Sequence, residues 1–393
     1  MDALTQTKIF NYPDISYRIV HHSAQRRVPS PFDCGDATFW LRGSTALWQG
    51  LTLLGSKTGG TILFPAYHCG IELNVLRQAG FRCVFYGIDR RLRMDLDAID
   101  RLSGPETCAL YVIHYFGFPH PTAELRRFCT AKGWILIEDC AHALFAHSGG
   151  KPVGTYGDIG IFSLHKFLPM PSGGALMVNS PHLHLPQVGN GRPPFFYVTR
   201  QTIDLLGRGV VRGAFMNTGI GLGLRGLISR GIRLATVRGN EKNASNGVTG
   251  PEPFPREWRH ARMPGLSLWI MKRTSEKQVM MRRRQNFATL LECTEGCRRI
   301  RPLIDHLEEG ACPLVFPAAV SGDAAEFIQF CQTRGVLAHF MWQRRHPAFP
   351  GSQFPEAVWL RDNVAALPVH QELNEKEMSF LNRVIQDWER GAA

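Results

Sequence analysis

Cys108-Ala109-Leu110-Tyr111-Val112-Ile113-His114 is an apolar run that ends on a polar residue. Thr122–Lys132 follows with helical spacing and stops at Gly133. Trp134-Ile135-Leu136-Ile137 then runs apolar into Glu138-Asp139. Strand, glycine-closed helix and strand make a β-α-β unit. Strands that are apolar at successive positions are buried on both faces, which implies a parallel sheet with helices on each side.

The same alternation extends outward from this unit. Residues 61–65 and 82–88 read as strands around a helix over 71–79, and 97–102 as a short helix. Ile159–Ser163 and 175–178 supply two more strands, the second after Gly173-Gly174. Residues 38–54 carry helical apolar spacing up to Gly55. Farther on, a helical pattern covers 267–291, strands are expected at 312–316 and 336–340, and helices over Ala324–Thr333 and Glu375–Glu389. The expected fold is α/β: a mostly parallel seven-stranded sheet with helices on both faces, plus a smaller α/β C-terminal domain. The division is placed at 1–260 and 261–393, with an insert at about 185–260 in the larger part.

The chain has 393 residues, 45 Lys+Arg and 33 Asp+Glu, for a formal charge of +12. Residues 190–301 alone carry +14 and the remainder −2. The basic excess is therefore local, and no recognised nucleic-acid motif accompanies it, so nucleic-acid binding is not expected. The insert is rich in glycine and has no acid between Asp204 and Glu241. It predicts short helices and loops. Its leucines, isoleucines and arginines over 205–238 leave three readings open: a rim attracting an anionic substrate, a peripheral contact with an anionic membrane, or a solvated cover. The ten cysteines are scattered without a CxxC pair, several within apolar runs. Reduced thiols and a cytoplasmic location are expected, with no metal site. The N-terminus lacks the pattern of a secretory signal, and no long uncharged apolar run suggests a membrane span.

In sheets of this kind ligands bind beyond the carboxyl ends of the strands, and polar residues gather there. Asp139 needs a cationic partner or hydrogen-bond donors to stay ionised, or it caps the next helix. Lys166, in the apolar loop Ser163-Leu164-His165-Lys166-Phe167, is a candidate amine nucleophile if desolvated and a solvated bystander otherwise. Arg42-Gly43-Ser44-Thr45 opens a helix whose amides can reach a phosphate, although it also suits an ordinary helix start.

Together these residues resemble the DegT/StrS sugar aminotransferases, pyridoxal-phosphate (PLP) enzymes of fold type I. The landmarks appear in the family's order: Gly43-Ser44-Thr45-Ala46-Leu47, Leu63-Phe64-Pro65-Ala66-Tyr67, Val112-Ile113-His114-Tyr115-Phe116-Gly117, and Ile137-Glu138-Asp139-Cys140-Ala141-His142. Gly157-Asp158, Phe162-Ser163-Leu164-His165-Lys166 and Gly173-Gly174 follow. The resemblance implies PLP as cofactor, Lys166 as its Schiff-base lysine and Asp139 as partner of its pyridinium nitrogen. It implies Gly43, Ser44 and Ser163 at the phosphate and a catalytic His142 near the ring face or its 3′ oxygen, with Tyr67 and His165 also binding the cofactor. The implied reaction moves an amino group, from glutamate as donor, onto a keto group of a nucleotide-activated sugar, in a homodimer with shared active sites. Two alternatives stand beside it: a dehydratase or other non-transaminating PLP enzyme, and an inactive scaffold at a membrane.

The chain departs from the family pattern at three places. His165 directly precedes Lys166. Cys69 stands where the family often has an aromatic ring against PLP, so Tyr67, His68 or His142 is a substitute. The family's Gly-Tyr-Asn-Tyr-Arg-Met stretch reads Trp258-Arg259-His260-Ala261-Arg262-Met263.

Overall fold

The computed structural model describes residues 9–14, 27–34, 37–185, 191–211, 251 and 253–391. The main sheet is built from β1 (Ala37–Trp40), β2 (Thr61–Pro65), β3 (Arg82–Tyr86), β4 (Thr107–Ile113) and β5 (Ile135–Asp139). After a hairpin of β6 (His147–Ser148) and β7 (Lys151–Pro152), it is completed by β8 (Ile159–Ser163) and β9 (Gly174–Val178). The order across the sheet is β1-β9-β8-β5-β4-β2-β3. The strands from β3 to β8 are parallel, while β9 runs antiparallel to β8 and β1 antiparallel to β9. β4 and β8 are buried at every residue, as unbroken apolar runs require.

Between these strands lie α1 (Gly43–Thr52), α2 (Ile71–Gln78), α3 (Leu96–Arg101) and α4 (Thr122–Lys132). α4 stops where predicted, because Gly133 takes the left-handed conformation at φ 68° that closes a helix end. The helix expected over 38–54 divides. Thr38, Phe39 and Trp40, β-branched and aromatic, form an edge strand against β9, and the helix begins at Gly43. The insert also differs from expectation, since α5 (Phe195–Val211) runs for 17 residues despite Gly207 and Gly209. Leu205 is 1% exposed, so packing offsets the weak propensity. Most of the remaining insert, 212–250, lies outside the described residues.

The pattern over 267–291 divides in the same way, into α6 (Gly265–Met271) and α7 (Glu276–Thr294). Ser275 caps the second helix by accepting from the Gln278 amide. A second sheet contains β10 (Ile300–Pro302), β11 (Val315–Val320), β12 (His339–Phe340) and β13 (Val364–Pro368), antiparallel in the order β10-β11-β13-β12. With it stand α8 (Ala324–Thr333), α9 (Pro355–Asn363) and α10 (Glu375–Glu389), the last opened by an Asn374–Glu377 capping box.

Two buried arginines join this second sheet to the first. Arg283 of α7, 0% exposed, donates to the carbonyls of Pro313 (2.9 Å) and Leu314 (3.0 Å) and to the Gln371 side chain (2.9 Å). Gln371 in turn donates to the Phe167 carbonyl at 2.9 Å, immediately after Lys166. Arg361 of α9 donates to the carbonyls of Trp342, Ala66 and His68. Both arginines therefore act on the loops at the ends of β2 and β8.

Arg283→Met keeps much of the volume but leaves two buried carbonyls and Gln371 without their donor. The variant should lose about 3 kcal/mol of unfolding free energy. A denaturant midpoint equal to that of the parent chain contradicts this role.

Candidate active site

Strand alternation and register set the floor of the site. Asp139 closes β5 beside Ile113 of β4 and Ile161 of β8. Two residues beyond Ile161 comes Ser163, paired with Gly174 of β9, and Gly174 also pairs with Trp40 of β1. A Cβ on Gly174 would collide with the Arg42 carbonyl, so glycine is what lets the start of α1 approach β9. After Ser163 a single tight turn, Leu164–Lys166, presents His165 and Lys166.

These ends enclose a cavity of about 260 Å³. Gly43, Ser44, Asp139, Ser163, His165 and Lys166 all line it, so six of the eight residues singled out from sequence meet there. The other two lie outside its wall. Tyr67, 1% exposed, packs 4.7 Å from the Trp342 ring and 5.4 Å from Tyr115. His142, also 1% exposed, is held between Phe116 and Trp342 at 5.9 and 5.0 Å. Arg42, Cys69, Glu72 and Tyr111 also line the wall and were not selected as site residues from the sequence. A larger cleft of about 1280 Å³, near Arg27, His147, Glu276 and Lys277, mixes both signs of charge and contains none of the six.

The cavity has two electrostatic ends. At the first, the Asp139 carboxylate accepts from the Tyr111 hydroxyl at 2.6 Å and the Ala141 amide at 2.9 Å. Burial pushes its pKa up, and those two donors and Lys166 oppose the rise. Glu72 is raised as well, by burial and then by the charge of Asp139, and its carboxyl lies 2.7 Å from the Cys69 sulfur. Two carboxyls facing one cavity resist ionising together until a cation enters.

The second end is positive. α1 has no side-chain cap at its N-terminus and no acid in its first turn. Its first amides therefore remain available beside the Ser44 and Ser163 hydroxyls. The buried Thr45 hydroxyl has no partner among the described residues. Burial, then Lys166 and Arg42, push His165 down to about 3, so it is neutral at pH 7. His142 is also held neutral, and neither of its ring nitrogens has a partner among the described residues. Uncapped amides at one end, carboxyls at the other and the Lys166 amine in the same wall suit a small ligand with an anionic head and a cationic ring nitrogen.

Glu138, next to Asp139, points away from the cavity. It accepts from the amides of Gly154 (3.1 Å), Tyr156 (2.9 Å) and Gly157, and lies 3.0 Å from His114 Nε2. His114, Glu138 and Cys140 are close enough to share an ion, but the Glu138 oxygens are already engaged by these donors.

The model of the DegT/DnrJ/EryC1/StrS aminotransferase family matches residues 38–186. GDP-perosamine synthase of Vibrio cholerae is 31% identical over 147 residues, 37% of this chain and 40% of that relative. dTDP-4-dehydro-2,3,6-trideoxy-D-glucose 4-aminotransferase of Saccharopolyspora spinosa is 28% identical over 186 residues, 47% of this chain and 48% of that relative. The chain thus matches less than half the length of these curated relatives. Among solved structures, PseC of Helicobacter pylori, an aminotransferase involved in the biosynthesis of pseudoaminic acid, aligns at TM-score 0.68 and 15% identity. That alignment covers 98% of this chain and 100% of the other, and at such identity it establishes a shared fold.

The raised carboxyls give a pH test on the cofactor-free chain. A carboxyl whose folded pKa exceeds its unfolded value stabilises most at low pH, and this is lost as pH rises through the folded pKa. Glu72→Gln cannot ionise. Its melting temperature should match the parent near pH 4 and exceed it by a few degrees at pH 8, a shift that roughly 1 kcal/mol produces in domains of ~200 residues. A gap that stays constant across this range rules out an ionising Glu72.

Proposed function

We propose that the chain is a PLP-dependent aminotransferase acting on a keto group of a nucleotide-activated sugar, a reading supported by the match of residues 38–186 to the model of the DegT/DnrJ/EryC1/StrS aminotransferase family. The observation that carries the reading is the meeting of Lys166, Asp139 and the uncapped start of α1 around one small cavity. PLP supplies an aldehyde that condenses with amines and a ring that spreads the charge left on the substrate carbon. Its requirements match the two ends of the cavity, with the phosphate at Gly43, Ser44 and Ser163 and the ring nitrogen at Asp139.

In this reading each residue has a definite task. Lys166 would hold PLP through its Nζ, and its amine would be the group that moves a proton at the substrate carbon. Asp139 carries the negative charge that keeps a ring nitrogen protonated, and the Tyr111 hydroxyl and Ala141 amide fix its orientation. His165, held neutral, adds no second charge beside the lysine. His142 and Tyr67 support the site from behind its wall, through the packed rings of Phe116, Trp342 and Tyr115. Glutamate is the proposed amino donor. The relatives named GDP-perosamine synthase and dTDP-4-dehydro-2,3,6-trideoxy-D-glucose 4-aminotransferase support a nucleotide-linked acceptor.

We further propose a cytoplasmic homodimer with shared active sites, divided into domains at 260/261. Among the described residues no helix is long and apolar enough to cross a membrane. α5 exposes Phe195 (74%), Phe196 (86%), Ile203 and Leu206, a stripe available to a second chain or a bilayer surface. Most of the 205–238 stretch, for which a membrane contact was one of three readings, lies outside the described residues.

Purified protein mixed with PLP should develop a visible absorption band that Lys166→Ala lacks. Identical spectra from both proteins remove Lys166 from its role. Glutamate added to the loaded parent chain should yield one equivalent of 2-oxoglutarate per site, and the keto sugar added next should leave as the amino sugar; a dehydratase would instead return a deoxygenated keto sugar that retains no nitrogen.

A further inference from the structure

We infer that Arg42 is a phosphate-binding residue of this pocket, its guanidinium fixed by two aromatic rings as the positive charge that neutralises the cofactor's phosphate. The inference rests on the PLP reading above and adds to it a residue not included in the phosphate set expected from sequence.

Arg42 is the last residue before α1 and lines the cavity beside Gly43, Ser44 and Ser163. Its Nε donates to the Tyr197 hydroxyl at 2.7 Å. Its guanidinium carbon lies 4.4 Å from the centre of the Tyr197 ring and 4.8 Å from that of Trp258. These contacts occupy ring-facing surface and one N–H. Among the described residues the terminal nitrogens have no hydrogen-bond partner and no carboxylate pairs with the charge. A surface arginine commonly finds an acid, whereas this one is held by rings and left electrostatically open.

Its surroundings make the same demand. The first amides of α1 lack a cap, and Lys166 adds a further amine to the cavity. No acid balances this end, since Asp139 and Glu72 stand with Tyr111 and Cys69 at the other. A planar guanidinium offers parallel N–H groups that suit phosphate oxygens, and clamping it in advance lowers the ordering cost on binding.

The neighbouring stretch is committed elsewhere in its own chain. The Arg259 guanidinium lies 3.8 Å from the centre of the Trp48 ring, and His260 Nδ1 lies 3.1 Å from Gln49 Nε2. Trp48 and Gln49 both belong to α1. Residues 258–260 therefore brace the phosphate helix, and Trp258 is the member that reaches Arg42.

A nucleotide-linked substrate also carries phosphates, so the test must separate the two sources. The cofactor-free full chain is titrated with PLP and with pyridoxal, which has the same aldehyde and ring but no phosphate, and the absorption band is followed. Arg42→Gln should weaken PLP binding by about tenfold or more, as loss of a charge-assisted contact does, and leave pyridoxal binding unchanged. Arg42→Lys, which keeps the charge without the planar fork, should fall between them. Unchanged pyridoxal binding also shows that the variant has folded. PLP binding by Arg42→Gln equal to the parent's overturns the inference and leaves the nucleotide phosphates as the remaining source. Equal losses for PLP and pyridoxal overturn it too, since Arg42 then acts only through the shape of the wall. A parent chain that takes up neither aldehyde overturns the PLP reading together with this inference.

Discussion

Glu138 and Asp139 are consecutive carboxylates at the end of one buried strand, so the pleat sends them to opposite faces of the sheet. Each is removed from water, and each needs donors. Glu138 receives them from three backbone amides of the 154–157 turn and sits beside His114. Those bonds fix the turn that feeds β8, and β8 delivers Ser163, His165 and Lys166 to the cavity. Asp139 receives only a tyrosine hydroxyl and one amide. The saturated carboxylate builds the frame, and the under-satisfied one remains available to a cation.

The same contrast separates the ends of the cavity. A positive rim without an acid and a pair of raised carboxyls cannot neutralise each other across the space between them, because each is fixed to a different strand end or helix. The second sheet holds this arrangement in place. Arg283 reaches Phe167 by way of Gln371, and Arg361 bonds the carbonyls of Ala66 and His68. Both loops that flank the lysine and the Cys69–Glu72 wall are thus tied to residues far along the chain.

Much of this was legible in the sequence wherever a local pattern decides the outcome. Apolar runs and the helix stop at Gly133 marked the parallel strands, and the polar residues at their ends marked the cavity. The misread parts are those in which tertiary packing decides. Thr38-Phe39-Trp40 fits a helical apolar pattern equally well, and only the open edge of β9 makes it a strand. Glu72 reads as an ordinary acid in the first turn of α2, where it favours the helix dipole. Its position opposite Asp139 comes from the packing of α2 beside α1, which no local spacing encodes. Arg42 is similar, since its partners Tyr197 and Trp258 are distant in sequence and meet it only in the fold.

Net charge is the feature that the fold reinterprets most. The +14 over residues 190–301 suggests an exposed basic face, yet many of its described arginines are already engaged. Arg283 is buried among carbonyls, Arg284 donates to those of Glu308 and Ala311, and Arg259, Arg273 and Arg299 lie against Trp48, Trp269 and Trp388. An arginine spent on a carbonyl or a ring keeps its formal charge but loses much of its capacity to bind a separate anion. Charge counted along the chain therefore overstates the surface offered to a polyanion. What matters for binding is where a guanidinium is held with its terminal nitrogens free, and Arg42 meets that condition from outside the basic segment.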